Sequence, residues 1–170
     1  MQKFIYLTLT VCIVSAAQAQ TCNPNIVRTA PDSRYELVMG SGGSEVLDKQ
    51  TGLIWQRCSL GQTWNGTACT GAASTHTWTE ALAKAKAVGN GYRLPNIREL
   101  KSLTEKACFE PAINSTFFPN TVSEGYWSAS PDAGGNNLAW GVYFYGGVTD
   151  YDYKGNGDYV RAVRAGHEQR

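Results

Sequence analysis

The residues best suited to chemistry lie close together near the end of the chain, between residues 136 and 158. They are tyrosines, aspartates and asparagines, and the set that we expect to bind a ligand is Asn136, Asn137, Tyr143, Tyr145, Asp150, Tyr151, Asp152, Tyr153, Asn156 and Asp158. Tyrosine offers a large contact area at a small cost in conformational entropy, and short polar side chains adapt their hydrogen bonds. This composition is typical of surfaces that recognise a ligand.

The same residues have a simpler interpretation, because tyrosine alternating with polar residues also suits an exposed strand through β propensity alone. The tyrosines are separated by short residues such as glycine and asparagine, and this pattern favours a binding surface over that interpretation. Nothing in the sequence arranges Ser/His/Asp, Cys/His or clustered carboxylates as a catalytic group requires. We therefore expect a protein that is not an enzyme and has no catalytic residue.

The spacing of Asp150, Asp152, Asn156 and Asp158 superficially resembles a calcium-binding loop. In such a loop the ligand positions supply oxygen atoms, and the last ligand is a bidentate glutamate. Here Lys154 replaces one oxygen ligand, and Arg161 stands where the glutamate belongs. The stretch is predicted to be a solvated polar loop, and we expect no metal site and no cofactor.

Residues 1–19 have the organisation of a secretory signal peptide. Lys3 supplies the positive start, Phe4 to Val14 form a largely apolar run, and Ala17-Gln18-Ala19 fits the cleavage rule. The apolar run is too short to span a bilayer, which disfavours the alternative of an uncleaved membrane anchor. We expect export to the periplasm, the cell surface or the medium, without stable insertion in a membrane.

The cysteines that remain after cleavage are Cys22, Cys58, Cys69 and Cys108. An even number of cysteines in an exported chain predicts two disulfides, and three pairings are possible. We expect Cys58 to pair with Cys69, closing a short glycine-rich loop, and Cys22 to pair with Cys108. Metal ligation is the alternative, but the chain has no CxxC pair, and His76 and His167 lie in unrelated contexts.

Charge and length set further limits. Without Lys3 the chain has 14 basic residues against 14 acidic ones and no run of lysine or arginine, which argues against nucleic acid as a partner. The remaining length fits one domain with a core of its own. We divide it into an N-terminal lead-in, residues 20–44, and a domain, residues 45–166.

Two helices and several strands are predicted to hold these residues in place. Thr77 and Asn96 each begin a capping box, so helices should follow them, the first ending near Gly89. Strands are predicted at residues 35–38, 45–48, 53–57, 126–129, 139–145, 148–153 and 159–164, and residues 59–75 should be a loop. Short strands, two helices and further strands together indicate an α+β fold.

Five aromatic-rich blocks occur in order along the chain: TGLIWQRC (51–58), YRLPNIREL (92–100), YWSAS (126–130), AWGVYFYGG (139–147) and YVRAVR (159–164). In this order they resemble the C-terminal domain family of the Legionella collagen-like adhesin. The resemblance covers about Glu45 to Arg164. It implies a C-type-lectin-like fold, with two helices packed on a small twisted antiparallel sheet and long loops, and a role in binding or adhesion.

The lectins of this fold that bind sugar through calcium have Glu-Pro-Asn or Gln-Pro-Asp loops and a Trp-Asn-Asp strand. The nearest strings here are Glu110-Pro111-Ala112, Phe118-Pro119-Asn120 and Trp127-Ser128-Ala129, which lack the required oxygen ligands. The stretch from Asn136 to Tyr159 also resembles the variable region of the proteins that diversity-generating retroelements diversify. Together these resemblances imply calcium-independent binding of a carbohydrate or protein ligand by a surface open to diversification.

Two other functions remain open. A structural or assembly subunit of a periplasmic or cell-surface complex would use the same face to contact a partner chain. An enzyme is the third hypothesis, since lectin-like folds include a cysteine-dependent oxidase, but that activity needs an unpaired thiol.

Trp55, Trp78, Trp127 and Trp140 have apolar neighbours and are predicted to lie in the core, whereas Trp64 is predicted to be an exposed contact residue. Arg93, Arg98, Arg161 and Arg164 would suit an anion-binding patch. We favour a bracing role for Arg93 and Arg164, because both lie inside the scaffold blocks.

Overall fold

A computed structural model of the protein describes residues 20–166. The predicted signal peptide and His167 lie outside these residues. The helices are α1 (Trp78–Ala87) and α2 (Ile97–Ser102). The strands are β1 (Thr21–Cys22), β2 (Tyr35–Leu37), β3 (Glu45–Asp48), β4 (Leu53–Gln56), β5 (Thr63–Trp64), β6 (Cys69–Thr70), β7 (Cys108–Phe109), β8 (Gly125–Pro131), β9 (Leu138–Tyr143), β10 (Val148–Tyr153) and β11 (Val163–Ala165).

Both helices begin at the predicted caps. The hydroxyl of Thr77 accepts from the backbone N–H of Glu80, and the Glu80 carboxylate accepts from the backbone N–H of Thr77. Asn96 and Glu99 form the same reciprocal pair at the start of α2. Each capping box satisfies N–H groups that have no partner within the helix, which fixes where the helix starts.

Two antiparallel sheets form the body of the fold. One has four strands in the order β11-β4-β3-β2, and the other has three in the order β10-β9-β8. The strand predicted at residues 159–164 is shorter than expected, because the N–H of Tyr159 donates to the carbonyl of Gly125 in β8 and only Val163–Ala165 pairs with β4. The predicted loop at residues 59–75 contains the small hairpin β5–β6. The fold is α+β, as predicted.

The three-stranded sheet lies between two hydrophobic clusters. Tyr126 and Val142 pack with Leu100 and Leu103 on one face, and Trp127 and Ala139 belong to the cluster that contains Ala81, Ala85 and Val160 on the other. Helix α2 therefore covers one face of this sheet and α1 the other. Strands β8 and β9 are fixed from both sides, and β10 lies at the edge.

Both disulfides have the predicted pairing, Cys22–Cys108 and Cys58–Cys69. The first joins the lead-in to the body of the fold, where β1 also pairs with β7. Within residues 20–166, no helix is long and apolar enough to cross a membrane.

Several side chains that were candidates for binding instead stabilise the scaffold. Arg93 pairs with Glu99 and Arg164 pairs with Glu45, as expected for bracing residues. The prediction for Trp64 is wrong: its ring is half-buried, Nε1 donates to the carbonyl of Gly42, and the guanidinium of Arg57 lies 3.8 Å from the ring centroid.

Candidate functional site

The hairpin of β9 and β10 holds most of the residues predicted to bind a ligand. Tyr143 pairs with Val148, Trp140 with Tyr151, and Leu138 with Tyr153. Residues that pair directly in an antiparallel ladder project from the same face, and successive residues project from opposite faces. The register therefore places Tyr143 on one face of the hairpin, and Tyr151 and Tyr153 on the other. The register therefore separates the tyrosines that the sequence assigns to one binding surface.

The first face is aromatic, and we define the aromatic face as Trp140, Tyr151 and Tyr153. Tyr151 is 50% exposed and Tyr153 is 58% exposed. The rings of Trp140 and Tyr151 pack edge to face with 5.7 Å between centroids. Trp140 is half-buried, so its predicted place in the core is wrong. Half-buried Trp78 packs against the cluster that contains Ala81 and Ala85, so its predicted place in the core is confirmed in part. The predictions for Trp55 and Trp127 are confirmed, since both are fully buried.

The second face is acidic, and we define the acidic face as Tyr143, Asp150, Asp152 and Asp158 together with Glu124. Tyr143, Asp150 and Asp152 share this face through the β9–β10 register. Asp158 comes from the segment that follows β10, and its carboxylate lies above Gly125 and Gly141. Burial and the carboxylates of Asp158, Asp152, Asp150 and Glu124 raise the pKa of Tyr143 to about 12.

Asp158 is buried, with 8% of its surface exposed, so it lies beneath the surface on which the sequence placed it. Its Oδ2 atom accepts no hydrogen bond from the described part of the chain. Burial, with the charges of Asp152 and Glu124, raises the pKa of Asp158 to about 6. A buried carboxylate without a partner prefers the neutral form.

Asp150 and Asp152 also hydrogen-bond to the outer edge of the sheet. The N–H of Tyr151 donates to Oδ1 of Asp150 over 2.8 Å, and the N–H of Tyr153 donates to Oδ1 of Asp152 over 2.6 Å. The amide of Asn156 donates to the same Asp152 oxygen. Two N–H groups of an edge strand are thus satisfied by the strand's own side chains.

The remaining predicted residues lie at the two ends of the hairpin. Asn136 and Asn137 are exposed before β9, and their carbonyls accept from the Nζ and the backbone N–H of Lys154, respectively. Tyr145 is 58% exposed in the turn between β9 and β10, where the neighbouring carboxylate of Glu110 raises its pKa. The structure therefore distributes the ten residues over an aromatic face, an acidic face and two ends.

The arrangement suits recognition of a ligand by contact and charge. Within residues 20–166, no three His, Cys, Asp or Glu side chains are placed to hold a metal ion. Large exposed rings next to hydrogen-bonding groups are the features that interfaces concentrate.

Sequence reasoning missed two parts of this site. Trp140 belongs to the aromatic face, and its pairing with Tyr151 would have indicated this once the hairpin register was known. Gly125 and Gly141 make room for the Asp158 carboxylate, and they are far from it along the chain. No local sequence signal identifies that contact.

The sequence was compared with models of protein families and with curated proteins. A family model described as the Lcl C-terminal domain matches residues 44–164, well over half of the chain. The match confirms the family that the five aromatic-rich blocks resemble. A search of curated proteins finds none that matches the chain.

Proposed function

The chain belongs to the Lcl C-terminal domain family, and on this premise we propose that it is an exported binding module of C-type-lectin-like fold. It presents the β9–β10 hairpin to a carbohydrate or protein ligand. Two disulfides support export, because such bonds persist in oxidising compartments.

The single observation behind this proposal is the aromatic face. Tyr151 and Tyr153 project from a strand at the edge of a rigid sheet and leave half or more of their surface exposed. Tyrosine and tryptophan are enriched among the few residues that contribute most of the binding energy of an interface. The edge-to-face contact with Trp140 holds one of these rings in place before a ligand arrives.

Diversification by a retroelement is part of the same proposal. The exposed positions of β10 contribute little to the core, whereas Val142 on β9 is fully buried in it. Side chains on β10 can therefore change while the scaffold is retained. Sequencing the neighbouring DNA tests this: a reverse-transcriptase gene and a near-copy of the 3′ end of this gene are expected.

We further propose that the module is not an enzyme. All four cysteines in residues 20–166 are in disulfides, so none of them offers the thiol of a cysteine-dependent oxidase. Titration of the native mature protein with a thiol reagent should detect no free thiol. One reactive thiol per chain would reopen the enzymatic hypothesis.

The binding proposal is tested with Tyr151→Ala and Tyr153→Ala, and with Phe109→Ala as a control, since Phe109 is also an exposed aromatic residue but lies on β7, outside the predicted binding set. The protein is applied to an array of immobilised neutral, sialylated and sulfated glycans, and to mammalian extracellular-matrix proteins on the same surface. We expect the first two variants to weaken any binding by about 1–2 kcal/mol, a typical contribution of an interface tyrosine.

All three variants should melt within a few degrees of the wild type, because an exposed ring contributes little to packing. Unchanged binding by both Tyr151→Ala and Tyr153→Ala would contradict the proposal. A large loss of thermal stability would show that the rings are part of the core.

A further inference from the structure

The acidic face contains a buried carboxylate whose charge is not balanced. Asp158 is more than nine-tenths buried, and its Oδ2 accepts no hydrogen bond from residues 20–166. Burying an ionised carboxylate without a partner is costly, so such groups are found paired, protonated or bound to a cation. The charge of this carboxylate is therefore left for a ligand to balance.

Two glycines shape the space around this carboxylate. A Cβ atom on Gly125 would lie 2.6 Å from Oδ1 of Asp158, closer than any side chain tolerates, and one on Gly141 would lie 3.9 Å from Oδ2. Gly125 pairs with Tyr143, and Gly141 pairs with Asp150. The carboxylate therefore lies on the same face of the sheet as Tyr143, Asp150 and Asp152.

The charges that act on Asp158 most strongly are those of two other carboxylates. Burial raises the pKa of Asp158, and the negative charges of Asp152 and Glu124 act in the same direction. Lys154, the nearest lysine in sequence, directs its Nζ to the carbonyl of Asn136 and over the ring of Trp78. The buried guanidinium of Arg161 donates to the carbonyls of Gln56 and Arg57. Neither basic side chain compensates the charge of Asp158.

From this geometry we propose that the acidic face is a second binding site, which takes one organic cation: an ammonium or guanidinium group of a ligand. Such a group donates charge-assisted hydrogen bonds to carboxylates, and it is also attracted by an aromatic ring such as that of Tyr143. Its donors can reach carboxylates that do not meet at one point, whereas a metal ion needs converging ligands, and within the described residues no three acidic, cysteine or histidine groups converge in that way. The site lies on the opposite face of the hairpin from the aromatic face, and the inference goes beyond the proposed function.

The ammonium or guanidinium group has more than one source in biology, so the test includes each. Nα-acetyl-lysine amide and Nα-acetyl-arginine amide stand for a basic protein segment, and glucosamine stands for an amino sugar. Nα,Nε-diacetyl-lysine amide and N-acetylglucosamine are the neutral controls. Each probe is titrated into the 15N-labelled mature protein at pH 7.5. Saturable shifts of the amide signals of Gly125, Gly141 and Tyr143 are expected with at least one cationic probe and with neither control.

Asp158→Asn removes the charge and keeps the shape, and we expect it to weaken binding of the cationic probe at least tenfold. Asp132→Asn is the matched control, because Asp132 lies in the loop between β8 and β9 and not on the acidic face. If Asp158→Asn does not fold, Asp152→Asn replaces it, with a loss of at least threefold expected. Equal affinity of the wild type and the folded variant overturns the proposal, and so does equal binding of the neutral probes.

Binding should also depend on pH. The groups that face Asp158 are Glu124 before β8, Tyr143 on β9, Asp150 and Asp152 on β10, and His76, whose backbone pairs with that of Asp158. The affinity of the wild type should fall as pH decreases from 7.5 to 5, since Asp158 then takes up a proton. In Asp158→Asn this part of the pH dependence should be lost, whereas an unaltered profile would contradict the assignment.

The experiment separates this site from the proposed function. Tyr151→Ala and Tyr153→Ala change only the aromatic face and should bind the cationic probe with wild-type affinity. Loss of cation binding in both, with retained folding, would show that there is one site rather than two.

Discussion

At the scale of single residues, Asp158 is predicted to make stability depend on pH in an unusual direction. Its folded-state pKa of about 6 lies above its usual value of 3.8, so the folded protein binds this proton more tightly than the unfolded chain. This contribution is fully present below about pH 4 and is lost as pH rises through 6. The corresponding decrease in the free energy of unfolding is on the order of 2–3 kcal/mol.

Chemical denaturation of the wild type and Asp158→Asn at pH 4, 5, 6 and 7 measures this effect. The free energy of unfolding of Asp158→Asn minus that of the wild type should be more favourable to the variant at pH 7 than at pH 4. The pKa values of Asp48 and Glu99 are lowered in the folded protein, so protonation of these groups at low pH destabilises both proteins. Subtracting the wild-type value from that of the variant at each pH removes this shared effect. A difference that does not change with pH would show that Asp158 is not the titrating group.

Arg161 is a buried cation that the scaffold depends on. Its guanidinium is fully buried and donates to the carbonyls of Gln56 and Arg57 and to the hydroxyls of Ser59 and Thr121. Lysine cannot reproduce this planar set of donors, so Arg161→Lys should leave buried acceptors without partners. We expect a loss of about 3 kcal/mol in the free energy of unfolding.

Exposed Arg98 provides the comparison for Arg161, and Arg98→Lys should change stability by less than about 0.5 kcal/mol. Urea denaturation of both variants gives the two values. Similar small losses in both would mean that the hydrogen bonds of Arg161 contribute little to the stability of the fold.

At the scale of elements, the edge of β10 is predicted to be protected against pairing with another chain. The N–H groups of Tyr151 and Tyr153 donate to Asp150 and Asp152. An edge strand with free N–H groups is a template for association. The double variant Asp150→Ala/Asp152→Ala should therefore self-associate as concentration increases, as measured by analytical ultracentrifugation.

The double variant Glu36→Ala/Asp132→Ala removes the same charge elsewhere and is the control. It should remain in the association state of the wild type. Association of both double variants would point to net charge, and association of neither would show that the aspartates do not protect the edge.

The elements that the sequence predicts well are those whose signals are local. The capping boxes at Thr77 and Asn96 fix the starts of both helices, and β3 and β10 have the predicted bounds. The strand at residues 159–164 was overpredicted, because its partners lie in two different sheets. Composition shows that a segment favours extended structure but not which strand it pairs with.

The candidate site shows the same division. The ten residues were found from their types, but their distribution over two faces follows from the pairing of Tyr143 with Val148. The burial of Asp158 follows from its contact with Gly125, which lies far away in sequence. Half-buried Trp140 was assigned to the core because a large ring with apolar neighbours gives no indication of its face.

At the scale of the whole molecule, the disulfide Cys22–Cys108 is predicted to contribute more to stability than Cys58–Cys69. The two bonds join residues separated by 86 and 11 positions, respectively. A longer loop loses more conformational entropy in the unfolded state when it is closed. We expect the free energy of unfolding to fall by about 4 kcal/mol in Cys22→Ala/Cys108→Ala and by about 3 kcal/mol in Cys58→Ala/Cys69→Ala.

Guanidinium denaturation under non-reducing conditions measures both losses. Peptide mapping without reduction confirms that the remaining bond in each variant has its native pairing. A greater loss of stability on removing Cys58–Cys69 would show that local packing around the hairpin β5–β6 outweighs the conformational entropy of the unfolded chain.

The hairpin register also has an evolutionary consequence. Along β10 the odd-numbered positions Thr149, Tyr151 and Tyr153 belong to one surface, and the even-numbered positions Val148, Asp150 and Asp152 belong to the other. Selection on two recognition properties can thus act on alternate codons of one short segment. Substitutions let each property change separately, but the deletion of one codon shifts every following side chain to the opposite face and exchanges the two surfaces. Lineages that diversify this segment should therefore accumulate substitutions and retain its length.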